Sequence, residues 1–326
     1  MIINMSHGSG GKETSDLIKS VFAKHFKNDV LEKMEDAAVL DIRGKVAFTT
    51  DSFVVTPLFF KGGDIGRLAI CGTVNDLLMQ GATPRYLTVG FIIEEGMDTD
   101  TLEKIAESMA AVAKEANVLI VAGDTKVIEG KGGVYINTSG IGIIPEDTNV
   151  SASNCCDGDT IILSGTIGDH HGCILSSRMG IKNNISSDAQ PLNSAVFALL
   201  NNGIRVKAMR DITRGGLGTI LNELAESSCC GAYIYENKIP VNMEVKGLCD
   251  ILGLDPMYMG NEGKFIAIVD KEDEKKAIDI LHNIEASKDA VIIGYMRQEH
   301  GVTMITRLGG RRVIDVLYGE GLPRIC

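Results

Sequence analysis

The sequence predicts a two-domain protein of mixed α/β architecture, and three observations carry that expectation. At 326 residues the chain is longer than a single hydrophobic core usually grows. Its first half alternates strand-like and helix-like stretches, and its second half restarts the pattern. Between the halves, Pro145 to Asp159 is polar and rich in turn residues, which places a domain boundary near residue 150.

Taken in order, the first domain (1–150) opens with a glycine-rich loop, SHGSGGK at 6–12, followed by a helical pattern from Glu13. Ala37–Leu40 and Val46–Thr50 read as strands joined by a turn at Arg43-Gly44. Ile65 to Gln80 has helical apolar spacing, which Gly81-Ala82-Thr83-Pro84 stops. Tyr86–Ile93 reads as a strand, Thr99–Ala116 as an amphipathic helix, and Val118–Ala122 and Val134–Ile144 as further strands. The second domain (151–310) starts with the strand Thr160–Ser164 and a glycine-containing loop, GTIGDHHG. Helices at Ser194–Asn202 and Gly216–Ser227, a strand at Phe265–Val269 and a helix at Glu272–Ile284 follow. From Arg311 the pattern weakens, and the glycines and proline of RRVIDVLYGEGLPRIC make 311–326 a flexible tail.

Composition narrows the function. Apolar residues at 44% and charged residues at 23% suit packed cores and exclude disordered or fibrous classes. A formal charge of −11 with no Lys/Arg cluster disfavours nucleic acid and anionic membrane as partners, because both demand a basic face. It is compatible with a nucleotide, since divalent metal held by carboxylates bridges protein and phosphate. No apolar run approaches a membrane span, and the N-terminus lacks the features of a secretory signal, so the expected location is cytoplasmic. The eight cysteines are then expected to be reduced. The vicinal pairs Cys155–Cys156 and Cys229–Cys230 lack the C-x₂₋₄-C spacing of structural zinc sites.

The aspartates of the first half carry the strongest chemical signal. Asp51 follows the strand VAFTT and Asp124 follows VLIVAG, so both are expected at the carboxyl ends of strands, where open α/β sheets place ligands. Asp36 precedes AAVL, and Asp76 interrupts an apolar helical stretch, where an unpartnered charge is costly. Oxygen ligands gathered in this way suit Mg²⁺, although each aspartate taken alone is equally a helix or turn cap. Two glycine-rich stretches can wrap phosphates with backbone N–H groups. SHGSGGK lacks Walker spacing; RDITRGGLG at 210–218 runs into a helix start and adds Arg210 and Arg214 as phosphate forks. No G-x-G-x-x-G follows a strand, so a dinucleotide fold has little support. Asn261-Glu262-Gly263-Lys264 precedes FIAIV and either positions a carboxylate over substrate or forms a surface turn. His170 and His171 read as loop residues, and adjacency disfavours a shared metal.

The strings HGSGGK, EDAAVL, TTDSFVVTP, GTVNDLLMQGATP, AGDTKV, RDITRGGL, GNEGKF and the terminal PRIC occur here in one order that covers essentially the whole chain. In this the chain resembles the HypE family of hydrogenase maturation proteins. Most of these strings are shared with the wider superfamily of aminoimidazole ribonucleotide synthetase and selenophosphate synthetase; PRIC discriminates. The resemblance implies an α/β N-terminal domain that dimerises by closing its sheet against a second copy, then an α+β domain and the tail. It implies ATP in the cleft, with magnesium held by Asp36, Asp51, Asp76 and Asp124. Gly8, Gly10, Gly11 and Lys12 would cover the phosphates, joined at the nucleotide by Asp36 and Arg214, and Lys126 would contact phosphate or the reacting group. The implied chemistry is ATP-dependent dehydration of a carbamoyl group on Cys326 to a thiocyanate. HypF would be the carbamoyl donor, and a HypC–HypD complex would accept the cyanide for iron. Glu262 is the candidate base for the N–H proton. From Arg311 to Cys326 an extended chain reaches roughly 50 Å, enough to visit both a partner and the cleft.

Two rival readings make different demands. A selenophosphate synthetase uses a reactive cysteine or selenocysteine near its N-terminus, whereas the first cysteine here is Cys71. A metallochaperone would be expected to carry C-x-x-C, which is absent.

Overall fold

The computed structural model describes residues 1–34 and 37–317. The first part contains α1 (Lys12–Leu17), extended by a wider helical turn at Ile18–Ala23, then β1 (Lys45–Phe53), the short hairpin β2 (Phe59–Phe60) and β3 (Gly63–Asp64), and α2 (Ile65–Met79). It continues with β4 (Thr83–Glu94), α3 (Thr99–Glu115), β5 (Leu119–Ile128) and β6 (Val134–Ile144). These give a four-stranded sheet in the order β1-β6-β4-β5, antiparallel except for β4 and β5, which run parallel with α3 between them in sequence.

The second part contains β7 (Thr160–Leu163), α4 (Asp169–Arg178), α5 (Asn193–Asn201), β8 (Val206–Asp211), α6 (Gly216–Ser228), β9 (Gly231–Tyr235) and α7 (Met243–Leu252). After these come β10 (Phe265–Val269), α8 (Glu274–His282), β11 (Val291–Arg297), β12 (Val302–Ile305) and β13 (Arg311–Ile314). Its seven-stranded sheet has the order β13-β12-β9-β11-β7-β10-β8, with only β12 and β9 parallel. The α/β-then-α+β expectation is the observed architecture.

Two helices show how sequence sets burial. In α3 the buried residues Leu102, Ile105, Ala106, Met109, Val112 and Ala113 recur at helical spacing on one face, and the Asp98 side chain caps the N-terminus by accepting from Thr101 N at 3.0 Å. Helix α2 is apolar nearly all round because it is covered on several sides: it packs against β1, β6, α3 and, from the second part, β8. One hydrophobic core therefore runs from Leu68 and Val74 through Leu192 and Leu199 to Phe265. Asp76 lies on the helix that joins the two parts.

The structure corrects several expectations. Ala37–Leu40 is irregular, with Val39 85% exposed: among the described residues the segment pairs with no strand, and Ala38 and Leu40 are only partly buried. Asp51 lies inside β1, and Asp124 lies in the middle of β5 rather than beyond its end. β5 continues because its alternation persists, with Thr125 and Val127 buried and Asp124, Lys126 and Ile128 exposed. His170 and His171 are not loop residues: they sit in the first turn of α4, both buried, after Gly168 with φ of 86° starts the helix. The stretch expected as tail from Arg311 begins with a strand, in which Arg311–Ile314 pairs with β12 and Ile314 is buried. The ladder to β12 and the one buried side chain, Ile314, hold this edge strand, and the glycines that suggested a tail come only later.

Candidate active site

The site grows from the contact of β1, α2 and β8. Thr49 and Asp51 share the face of β1 that α2 covers. Gly72 permits the close approach, because a Cβ there would meet the Phe53 ring at 2.8 Å and Asp51 Oδ2 at 3.4 Å. Thr49 Oγ1 then donates to Asp76 Oδ2 at 2.8 Å. From the second part, β8 ends in Asp211, whose neighbour in the sheet is Phe265, the first residue of β10. The segment before β10 carries Glu262. Its backbone is tied to the RDITRGG loop: Asn261 N donates to Ile212 O at 2.7 Å and Ile212 N donates to Lys264 O at 2.9 Å.

Glu262 is not in a surface turn. It is 4% exposed, and its segment is fixed from two directions. Asp188 accepts from Glu262 N at 3.2 Å, Gly263 N at 3.3 Å and Asn261 Nδ2 at 2.9 Å. From α2, Asn75 Nδ2 donates to Gln190 O at 3.1 Å and to Glu262 O at 3.4 Å. Gly263 has no room for a side chain, since its Cβ would lie 1.9 Å from Asp188 O. His170 and His171 belong to the packing behind this segment. His171 exchanges bonds with the Gly260 backbone, and burial pushes its pKa down to about 4, so it is neutral.

Asp51, Asp76, Asp211 and Glu262 converge, and their electrostatics show it. Burial raises the pKa of Asp51, opposed in part by Arg214. Burial also raises Asp76, with Asp51 adding to the effect and Thr49 and Arg210 opposing it. Asp211 is pushed up to about 7 by burial and by Asp76 and Asp51. Glu262 is raised well above the usual carboxylate range, first by burial and then by Asp211, Asp188, Asp51 and Asp76. Its Oε1 is buried with no hydrogen-bond partner among the described residues. Four carboxylates against two guanidinium groups, with an orphaned oxygen among them, fit a hard divalent cation; without one, the cost of crowding like charges is large.

The other expected site residues form a second group. Gly8 lies against the edge of β5, where its Cβ would be 2.6 Å from Val127 N. Gly10 takes φ of 82°, Gly11 caps α1, and Lys12 begins that helix on the surface. Lys126 Nζ bonds both oxygens of Asp124 at 2.6 Å, and that hydrogen bond first, then other contacts, lowers the Asp124 pKa. An apolar cleft of about 160 Å³ lies alongside, walled by Phe22, Phe26, Phe91 and Ile120 and bounded by Asp124 and Thr125.

The two groups do not meet within one chain. The register places Asp124 in a row with Gly90, Asn137 and Ser52, so it is level with the neighbour of Asp51 and on the opposite face of the sheet. Three strand spacings separate β1 from β5, about 14 Å. Asp36 and Cys326 lie outside the described residues. Reasoning from sequence missed Asp211, although it ends the strand KAMRD, and it missed Asp188 and Asn75, whose partners lie far away in the chain.

The two sheets and the carboxylate site define the class. Family models of the AIR synthase related protein match here, the N-terminal domain over residues 34–144 and the C-terminal domain over 157–307. Carbamoyl dehydratase HypE of Azotobacter vinelandii is 47% identical, over 99% of this chain and 97% of its own. A crystal structure of the hydrogenase maturation protein HypE in complex with ATP superposes with a TM-score of 0.95 at 44% identity, covering 99% of both chains. The chain of a HypE–HypF complex matches with a TM-score of 0.82 at 47% identity, over 92% of this chain and 99% of that one. The chain belongs to the HypE family of carbamoyl dehydratases, enzymes of hydrogenase maturation. No helix among the described residues is long and apolar enough to cross a membrane.

Proposed function

We propose that this chain uses ATP and magnesium in the cytoplasm to dehydrate a carbamoyl group on Cys326 to a thiocyanate, the cyanide source for a hydrogenase iron. The observation that carries this reading is the buried group Asp51, Asp76, Asp211 and Glu262 facing Arg210 and Arg214, with Glu262 Oε1 unpartnered. Asp51, Asp76 and Asp211 would hold magnesium, leaving the Glu262 carboxylate for proton transfer, and the arginines would receive phosphate oxygens as forks. Magnesium ATP supplies the phosphoryl group that turns the amide oxygen into a leaving group. Glu262, aimed into the site and held by its backbone, takes the N–H proton as phosphate departs; burial and the neighbouring carboxylates raise its pKa, and bound cations that offset those neighbours would leave it ionised to act as the base. The atoms balance: a thiocarbamate and ATP give a thiocyanate, ADP and phosphate.

The second group joins through a dimer. The exposed face of the first sheet carries Val46, Phe48, Ile92, Leu119 and Ile128, each at least 40% exposed, a patch that a monomer would leave in water. In this reading, closing the face against a second copy sets the glycine loop, Lys126 and Asp124 of one chain at the β1 edge of the other, the strand that carries Asp51. The apolar cleft beside Asp124 then suits the base of the nucleotide. Asp36 completes the proposed ligand set. HypF, which a 47% identical relative binds in a crystal, is the proposed carbamoyl donor, and a HypC–HypD complex is the proposed acceptor of cyanide.

Two measurements test this reading. ATP with magnesium at about a hundred times Kd is expected to stabilise the protein by about 2.7 kcal/mol and raise Tm by a few degrees, reversed by EDTA. An unmoved Tm under both conditions contradicts the site. Glu262→Gln, whose backbone bonds to Asp188 and Asn75 persist, is expected to keep ATP affinity and slow loss of water from the carbamoylated protein by about 10²–10⁴. An unchanged rate removes Glu262 as the base.

A further inference from the structure

The last described residues follow a definite path. Ile314 is buried, and its methyl group lies 3.3 Å from where a Cβ on Gly218 would stand, so the chain is seated directly on α6. Asn222 Nδ2 donates to Ile314 O at 3.0 Å while also holding Gly218 O at 2.9 Å. Tyr258 OH donates to Asp315 O at 3.0 Å, and its ring would touch a Cβ on Gly218 at 2.8 Å. Leu317 N donates to Thr219 Oγ1 at 3.3 Å.

These contacts have an order. As the backbone advances from Ile314 to Leu317, its hydrogen-bond partner on α6 moves back from Asn222 to Thr219, toward the helix N-terminus. One further turn brings Gly215, whose Cβ would lie 2.6 Å from Thr219 Oγ1, and beside it Arg214, which faces Asp51. Gly216 keeps this end of α6 against Tyr258: it has φ of 63°, and a Cβ there would be 2.7 Å from Tyr258 Cα. The guide and the phosphate-facing loop are therefore one rigid piece. The side chains concerned are neutral, and none touches the carboxylate group, so that chemistry gives no reason for their placement.

We propose that Thr219, Asn222 and Tyr258 are positioning residues for the dehydration step: they lay residues 314–317, the start of the segment that ends in the acceptor cysteine, along α6 in the direction of the Arg214 loop. This inference rests on the proposed function above. From Leu317, the nine residues to Cys326 span up to about 30 Å when extended, so an unguided chain would search a wide volume. Fixing its start and direction raises the effective concentration of the thiol at the site.

The test uses the full-length protein, HypF, carbamoyl phosphate and ATP, followed by intact mass in a single turnover. Thr219→Val with Tyr258→Phe removes two hydroxyls with little change of shape. Expected are wild-type Tm, wild-type ATP affinity and wild-type carbamoylation by HypF, with loss of water slowed about tenfold. Thr219→Ser in place of Val restores most of the rate. Tyr258→Phe alone, which deletes one oxygen, is expected to slow the step about threefold and serves if the double variant folds poorly. A dehydration rate equal to wild type overturns the inference and leaves the proposed function standing, as does a loss of rate matched by an equal loss of ATP affinity. If the wild-type protein itself loses no water with ATP, the proposed function fails and this inference goes with it.

Discussion

Asp51→Asn and Asp124→Asn are each expected to lose at least about a hundredfold in magnesium-dependent ATP turnover; coexpressed in one cell, they are expected to regain about one quarter of wild-type turnover. The reason is the face on which each side chain sits. Asp51 is on the covered face of β1 beside Asp76, whereas Asp124 is on the open face of β5, three strands away. If each site takes Asp51 from one copy and Asp124 from the other, a mixed dimer holds one site with both changes and one with neither. Random pairing makes half of the dimers mixed, and half of their sites are intact. If instead one chain supplied both residues, every site would carry one change and mixing would recover nothing. Neither aspartate packs in a core, and neutral asparagine relieves repulsion at Asp51, so both variants are expected to fold. Sedimentation as a monomer at micromolar concentration would equally contradict the shared site.

How much of this could be read from the sequence depended on how local the cause was. Helix α2 and its odd aspartate were legible because a carboxylate among Leu, Val and Met residues calls for a partner, and α2 is the element that both sheets press on. The strand Phe265–Val269 and the entry to α6 were legible for the same reason, since short apolar runs and paired glycines signal within a few residues. The separation of Asp124 from Asp51 was not. A strand shows which residues share a face, but only register across β6 and β4 shows that two aspartates on different strands face opposite ways. Asp188 was illegible because its partners Asn261 to Gly263 lie more than 70 residues onward. His170 and His171 misled because adjacent polar residues suggest a loop, whereas here a positive-φ glycine starts a buried helix. Arg311–Ile314 misled because the composition of a whole stretch was allowed to speak for its first four residues, which pair with β12 and bury Ile314.

Cys326→Ala is expected to bind magnesium ATP as wild type does, to accept no carbamoyl group and to yield no cyanide. Its role follows from chemistry that the other thiols are badly placed to perform. Cys71 is fully buried in α2, and burial drives its pKa far above the ordinary thiol range; Cys155, likewise buried, is pushed up to about 12. Cys173 and Cys249 are buried as well. A thiol held in that state is neither nucleophilic nor open to a partner protein. Cys156 and Cys229 are exposed and Cys230 partly so, yet they sit at the α6 C-terminus and the turn before β7, at the far end of α6 from Arg214. Among the described residues, the segment that leads toward Cys326 lies on α6 as far as Leu317, whose N–H donates to Thr219 Oγ1 on the side of the arginine loop. Intact mass spectrometry checks this directly. Wild-type protein with HypF and carbamoyl phosphate gains one carbamoyl group and then loses one water when ATP and magnesium are added. Peptide mapping that places the group on any cysteine but Cys326, or loss of water without ATP, would sink the mechanism, because the carboxylate site would then have no part in the step assigned to it.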